Sequence, residues 1–233
     1  MEYKKVSIVI PVYNEEATIE QVIKQVIAAN VLNLEKEIIV VDDASTDETV
    51  NHLHNHMLNQ VVILRHEKNL GKGAAIHTGF MKASGDIAVI QDADLEYDPK
   101  DLEKVLRPFL ESGAKVVYGS RYLSPSETLG FWHSFFNKLF TKLSNILIGQ
   151  KITDIMTCYK AFNREVLDQI VSKLESKRFG FEPEVTAKVS KLGYKILEVQ
   201  VSYSPRSRQQ GKHMNFQGQV ESLLALLKYT VFC

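Results

Sequence analysis

Asp86-Ile87-Ala88-Val89-Ile90-Gln91-Asp92-Ala93-Asp94-Leu95-Glu96 is a short apolar run that ends in two aspartates separated by one alanine. Four consecutive apolar residues are too few for a helix, so residues 86–91 read as a buried strand. Asp92 and Asp94 then fall at alternate positions of an extended segment. Both carboxylates point to one side, and the small Ala93 lets the backbone between them approach a ligand closely. Hard oxygen ligands in this pattern suit Mg²⁺ or Mn²⁺ bridging a diphosphate, with Glu96 as a further ligand. An isolated Asp-x-Asp is equally at home in an acidic loop capping the helix after Pro99. Its place at a strand end favours the metal, because ligands of open α/β sheets bind beyond the carboxyl ends of the strands.

On both sides of this run, short apolar stretches alternate with helical periodicity, the pattern of βαβ units around a largely parallel sheet. Residues 6–12, 37–41, 61–64 and 114–118 are predicted strands. Ile19, Val22, Ile23, Val26 and Ile27 make one apolar stripe of a helix starting near Thr18. Asp47 is placed to cap the helix that follows it, Gly71-Lys72-Gly73 precedes a helix over 74–83, and Pro99 opens another with Leu102, Val105, Leu106 and Phe109 facing inward. Beyond Gly119 the pattern is less regular: an aromatic helix over 131–148, a short strand over 158–162, two helices, a strand over 195–203, a polar loop and a last helix. The fold class is α/β, in one domain, with a mostly parallel central sheet flanked by helices.

The 233 residues are 45% hydrophobic and 24% charged, enough to bury a full core and too apolar for disorder. Lysine plus arginine equal aspartate plus glutamate at 28 each, which removes any strong electrostatic case for nucleic acid or an anionic membrane as the main partner. Cys158 and Cys233 are too few for a disulfide framework or a multi-cysteine zinc site. His52, His54 and His56 do not share one helical face, and a solvated helix is favoured there over a metal site. No stretch reaches the roughly 20 apolar residues of a bilayer span. The start is too brief for a signal-peptide core. The expected location is cytoplasmic, with any membrane contact made peripherally from the inner face.

Every strand of the first half ends in polar or conformationally special residues: Pro11-Val12-Tyr13-Asn14-Glu15, Asp42-Asp43, Gly71-Lys72-Gly73, and Asp92 with Asp94. A dinucleotide fold would place G-x-G-x-x-G after the first strand, and a P-loop would need G-x-x-x-x-G-K-[ST]; neither is present.

Four segments resemble family-2 glycosyltransferases of the GT-A fold: Pro11-Val12-Tyr13-Asn14-Glu15, residues 41–47 (VDDASTD), residues 69–73 (NLGKG) and residues 92–99 (DADLEYDP). Gly119-Ser120-Arg121, residues 153–160 and the 206–212 loop are similar to the dolichyl-phosphate mannose synthase and polyprenyl-phosphate glycosyltransferase branch. The matches span residues 6 to 215. The resemblance implies a nucleotide-sugar half (1–120) and an acceptor side (121–233), and transfer of one hexose with inversion from a UDP- or GDP-linked donor. Pro11, Tyr13, Glu15 and Asp43 would cradle nucleobase and ribose, with Lys72 also on the nucleotide sugar. Asp92, Ala93 and Asp94 would hold metal and diphosphate, and Arg121, Arg206 and Lys212 would neutralise phosphates, Gly211 letting their loop fold over the ligand. Two departures stand out: relatives often carry Gln where this chain has Glu96, and the Gln-x-x-Arg-Trp signature of processive synthases is absent.

An anionic lipid phosphate is the expected acceptor and needs no strong base. A soluble or protein hydroxyl would need one, for which Asp154 is the candidate. Phe131-Trp132-His133-Ser134-Phe135-Phe136-Asn137-Lys138-Leu139-Phe140 has the character of an interfacial helix touching lipid, with a core helix as the alternative, and Leu223, Leu224, Leu226 and Leu227 offer a second apolar surface for a bilayer or a homodimer. A binding protein without catalytic activity is the reading from a different class; Asp92, Asp94, Arg206 and Lys212 argue against it.

Overall fold

The computed structural model describes residues 2–56, 61–123, 131–206 and 216–231. Seven strands, β1 (Lys5–Val12), β2 (Glu35–Asp42), β3 (Val61–Arg65), β4 (Ile87–Ile90), β5 (Val116–Ser120), β6 (Lys160–Asn163) and β7 (Leu197–Gln200), form one sheet in the order β3-β2-β1-β4-β6-β5-β7. Both halves of the sequence contribute to it. The β3-β2-β1-β4 block is parallel, while β6 runs antiparallel to β4 and β5. Residues 6–12 of β1 are all buried, because helices cover both faces; hence the apolar run does not alternate.

The helices are α1 (Ile19–Ala28), α2 (Thr49–His56), α3 (Lys72–Lys82), α4 (Leu102–Glu111), α5 (Phe131–Ile148), α6 (Arg164–Ile170), α7 (Phe181–Lys191) and α8 (Phe216–Val231). The α1 stripe packs as its spacing predicts, with Ile19, Val22, Ile23 and Val26 fully buried, each worth about 1.5–3 kcal/mol. Asp47 accepts from Thr49 N at 3.0 Å and opens α2. Pro99 starts a 3-10 turn whose cap, Asp98, accepts from Lys100 N, and α4 continues from it. α3 comes close to the sheet at Gly79, where a Cβ would lie 2.3 Å from Val9 Cγ1.

The strand predicted over 195–203 is shortened to four residues, with consequences for the site. After Gln200 the chain leaves the sheet: Ser202 N donates to Asp101 and Tyr203 bridges to Tyr97. Residues 203–206 are thereby laid across the loop that carries Asp94 and Glu96.

Candidate active site

The first, second and fourth strands end in loops bonded to one another or bent sharply. Asn14 N donates to Ser45 Oγ at 2.9 Å, Thr46 N to Asn14 Oδ1 at 2.8 Å, and Glu15 N to Thr49 Oγ1 at 2.9 Å. Ala44 (φ 64°) and Leu95 (φ 60°) adopt the left-handed conformation, at a cost of order 1–3 kcal/mol each. These turns aim the acidic residues beside them. Asp43 spends its carboxylate on the third loop: it accepts from Leu70 N at 2.9 Å and Gly71 N at 2.6 Å, and lies 2.7 Å from His66 Nδ1. Only glycine suits position 71, since its φ is +103° and a Cβ would meet Lys177 O at 2.5 Å.

These loops enclose a cavity of about 430 Å³ that holds an array of acids and their counter-ions. Lys72 Nζ lies 2.7 Å from Asp92 Oδ1, 2.9 Å from Cys158 Sγ and 3.9 Å from Glu182 Oε1. Burial opposes the Lys72 charge, yet Asp92, Cys158 and Glu182 together hold its pKa well above the ordinary value. Arg206 makes two parallel bonds to Glu15, both 3.0 Å, and a third to Asp94 Oδ2 at 3.1 Å. The Asp94 carboxyl is pushed up to about 7, first by burial and then by Asp92 and Glu96, with Arg206 opposing. An acid that crowded accepts positive charge readily.

On the far side of the cavity Arg121 is gripped by Asp154 through Nε at 2.7 Å and Nη2 at 2.8 Å. Its guanidinium lies 5.0 Å from the centre of the Tyr203 ring. Asn137 of α5 donates to Asp154 Oδ1 at 3.0 Å, and Asp154 N donates to Glu198 at 3.0 Å. Burial alone would raise the Asp154 carboxyl; Arg121 and Asn137 outweigh it and keep the group ionised below its ordinary range.

Of the residues expected from sequence, Pro11, Tyr13, Glu15, Asp43, Lys72, Asp92, Ala93, Asp94, Glu96, Arg121 and Arg206 all line this cavity. Four differ in orientation from the expectation, the first being Glu15, whose two oxygens are both taken by Arg206 and not left for nucleobase or ribose. Glu96, expected as a further metal ligand, turns both oxygens to residues 203–206, accepting from Tyr203 OH at 2.7 Å and Arg206 N at 2.8 Å. Asp154 is completely buried behind Arg121 and does not line the cavity, which removes the solvent access a general base needs. Asp43 holds the Leu70-Gly71 backbone with the oxygens expected to meet nucleobase or ribose. Lys212 and Gly211 lie outside the described residues. His52 meets Glu20 at 2.9 Å across α1 and α2.

Sequence reasoning missed Arg178, Phe179 and Tyr203 as cavity residues, and gave no individual role to Asn69, Met156 and Cys158 although they lie in the segments it singled out. Arg178 and Phe179 arrive because Gly71 and Gly73 pack against residues 176–181, and no local motif announces that contact. Among the described residues, no three His, Cys, Asp or Glu side chains close around one point to cage a metal. Asp94 and Asp92 fit a different arrangement, in which one or two carboxylates share a hard cation with the phosphates of a ligand.

The family model for glycosyl transferase family 2 matches residues 7–171. The chain is 30% identical to a UDP-N-acetylglucosamine–dolichyl-phosphate N-acetylglucosaminyltransferase of Methanococcus voltae, over 97% of this chain and 96% of that protein. It is also 30% identical to a dolichol-phosphate mannosyltransferase of Pyrococcus furiosus, spanning 89% of this chain and 59% of the relative. Among solved structures, glucosyl-3-phosphoglycerate synthase of Mycobacterium tuberculosis, crystallised with Mn²⁺, UDP and glucosyl-3-phosphoglycerate, superposes with a TM-score of 0.73. That match has 22% identity and covers 97% of this chain and 80% of the other, a likeness of fold. With strand-end motifs, sheet order and cavity all in place, the chain belongs to glycosyl transferase family 2.

Proposed function

We propose that this glycosyltransferase moves one hexose from a UDP- or GDP-linked donor to a polyprenyl phosphate at a membrane surface. The observation that carries the donor half is the cavity itself, where Asp92 and Asp94 face Lys72 and Arg206 at the ends of the parallel strands. A divalent cation, Mg²⁺ or Mn²⁺, held by Asp94 with Asp92 alongside, would supply the charge that neutralises the departing diphosphate. Lys72 and Arg206 add fixed positive charge where the leaving group develops its own. Pro11 and the exposed ring of Tyr13 offer the nucleobase a flat wall.

An acceptor phosphate is anionic near neutral pH, so its oxygen attacks the anomeric carbon opposite the leaving diphosphate without surrendering a proton to the protein. The burial of Asp154 accords with that, and a hydroxyl acceptor would find no base there. Asp154 instead fixes Arg121, whose guanidinium orients the acceptor phosphate.

The acceptor half rests on α5 and α8, which pack against each other. Along α5, Phe136, Leu139, Leu143, Ile146 and Leu147 form one outward stripe, with Phe136 54% and Ile146 73% exposed. Leu223, Leu224 and Leu227 of α8 are exposed too. Monomeric soluble proteins rarely show a contiguous apolar patch of more than a few hundred Å². Lys138 and Lys142 are exposed on the same helix, as suits one lying in the headgroup plane. The opposite side of α5 carries Asn137, bonded to Asp154, which sets this face one helix away from Arg121. No helix among the described residues is long and apolar enough to cross a membrane. The test is transfer from labelled UDP- and GDP-sugars in Mn²⁺ to dolichyl or undecaprenyl phosphate in vesicles. Label extractable into organic solvent supports the assignment, and label found only on soluble acceptors would replace it with the hydroxyl-acceptor alternative.

A further inference from the structure

Arg206 stands directly against Asp94, the carboxylate that would hold a cation. Its two terminal nitrogens clasp Glu15, and one of them reaches Asp94 Oδ2 at 3.1 Å. Asp94 Oδ1 already accepts from Glu96 N at 3.0 Å, so both oxygens of that carboxylate are engaged. The remaining donor of the guanidinium, Nε, is buried without a hydrogen-bond partner. A buried donor left unmade is costly, so the fork is held here by charge and not by a complete set of bonds.

We propose that Arg206 is a resident counter-ion: it occupies the cation position at Asp94 in the ligand-free enzyme and passes to the diphosphate when metal and nucleotide enter together. The assignment rests on the nucleoside-diphosphate reading of the cavity and adds a coupling between its two ligands. A guanidinium and a divalent cation repel each other and compete for Asp94 Oδ2. Metal alone must therefore expel Arg206 from Asp94 with no new anion to receive it. A nucleotide alone must draw Arg206 away while leaving Asp94 without a counter-ion. Only the pair gives Asp94 and Arg206 new partners at once, the cation taking Asp94 and the diphosphate taking Arg206. Metal and nucleotide each bind weakly alone and tightly together, and by linkage each strengthens the other by the same factor.

The test is Mn²⁺ binding to the full chain, measured by equilibrium dialysis and by the EPR signal of free Mn²⁺, without nucleotide and with saturating UDP or GDP. Wild-type protein should bind Mn²⁺ at least about fivefold tighter with the cognate nucleotide, at the lower end of allosteric couplings. Arg206→Gln removes the competing charge and should bind Mn²⁺ alone at least about fivefold tighter than wild type, with the nucleotide effect reduced. Arg206→Lys, which keeps the charge and loses the fork, should fall between them. It carries the same comparison if the glutamine variant fails to fold. If Arg206→Gln binds Mn²⁺ alone no tighter than wild type, while both still bind Mn²⁺ with nucleotide, the counter-ion role is wrong and the donor assignment stands. If neither protein retains Mn²⁺ with UDP or with GDP, the donor assignment fails and takes the counter-ion role with it.

Discussion

Replacing Asp154 by asparagine separates two roles that the sequence alone leaves open for this acid. The substitution keeps the shape of the side chain and removes its charge, leaving the Arg121 guanidinium, only 6% exposed, without an anion. Two bonds of 2.7 and 2.8 Å lose their charge assistance, and one now faces an amide group. Breaking a buried pair by removing one partner costs about 3–5 kcal/mol, because the other charge stays desolvated. For a domain of this size that is a fall in melting temperature of roughly 6–20 °C. Melting curves, read beside initial rates over a pH series, should show the loss of stability together with a raised KM for the acceptor and an unchanged pH profile. A double variant, Arg121→Met with Asp154→Leu, should recover most of the stability and none of the activity, since a matched apolar pair carries no unpaired charge. A general base behaves in the opposite way, with normal melting and kcat lowered by about 10²–10⁴. Asp154→Asn protein that melts like wild type while kcat collapses would refute the positioning role.

Asp94 gives a pH prediction. Its folded pKa of about 7 lies above the ordinary carboxylate value. The stability it contributes is therefore complete below about pH 4 and lost as pH rises through 7. The difference in unfolding free energy between wild type and Asp94→Asn should fall across that window, and a flat difference would contradict the shift. Phe136→Ser with Leu139→Ser and Ile146→Ser should abolish flotation with anionic vesicles and leave the melting temperature within a few degrees of wild type; undiminished flotation would remove α5 from the membrane contact. Gly79→Ala forces a Cβ to 2.3 Å from Val9 Cγ1, an overpacking cost of about 1–3 kcal/mol. Chemical unfolding should show that loss and its partial recovery in the double variant with Val9→Ala.

The parallel core is legible in the sequence because a strand buried on both faces needs an unbroken apolar run, as in residues 8–12 and 87–90. The acidic motif is legible for a related reason: Asp92 and Asp94 are neighbours along the chain, and alternation alone puts them on one side. Residues brought together by tertiary packing leave no such trace. Tyr203 reaches Glu96 across 107 residues, and Arg206 reaches Glu15 across 191. Asp154 looks like an available acid until its partner Arg121, 33 residues away, is found to enclose it. The strand predicted over 195–203 overran because its apolar and aromatic residues continue into the loop. There Tyr203 packs on Tyr97 at a centroid distance of 5.2 Å and not into the sheet.

The central claim, a cavity for a metal-bound nucleoside-diphosphate sugar, is tested most directly by thermal unfolding with UDP-, GDP- and dTDP-sugars in Mn²⁺ and in EDTA. A ligand present at a hundred times its Kd stabilises the native state by about 2.7 kcal/mol. At this chain length that is a rise of roughly 5–10 °C. The account predicts such a rise with UDP- or GDP-linked sugar in Mn²⁺, abolished by EDTA and by Asp94→Ala. Unshifted melting with every donor, or a shift that survives Asp94→Ala unchanged, would contradict it.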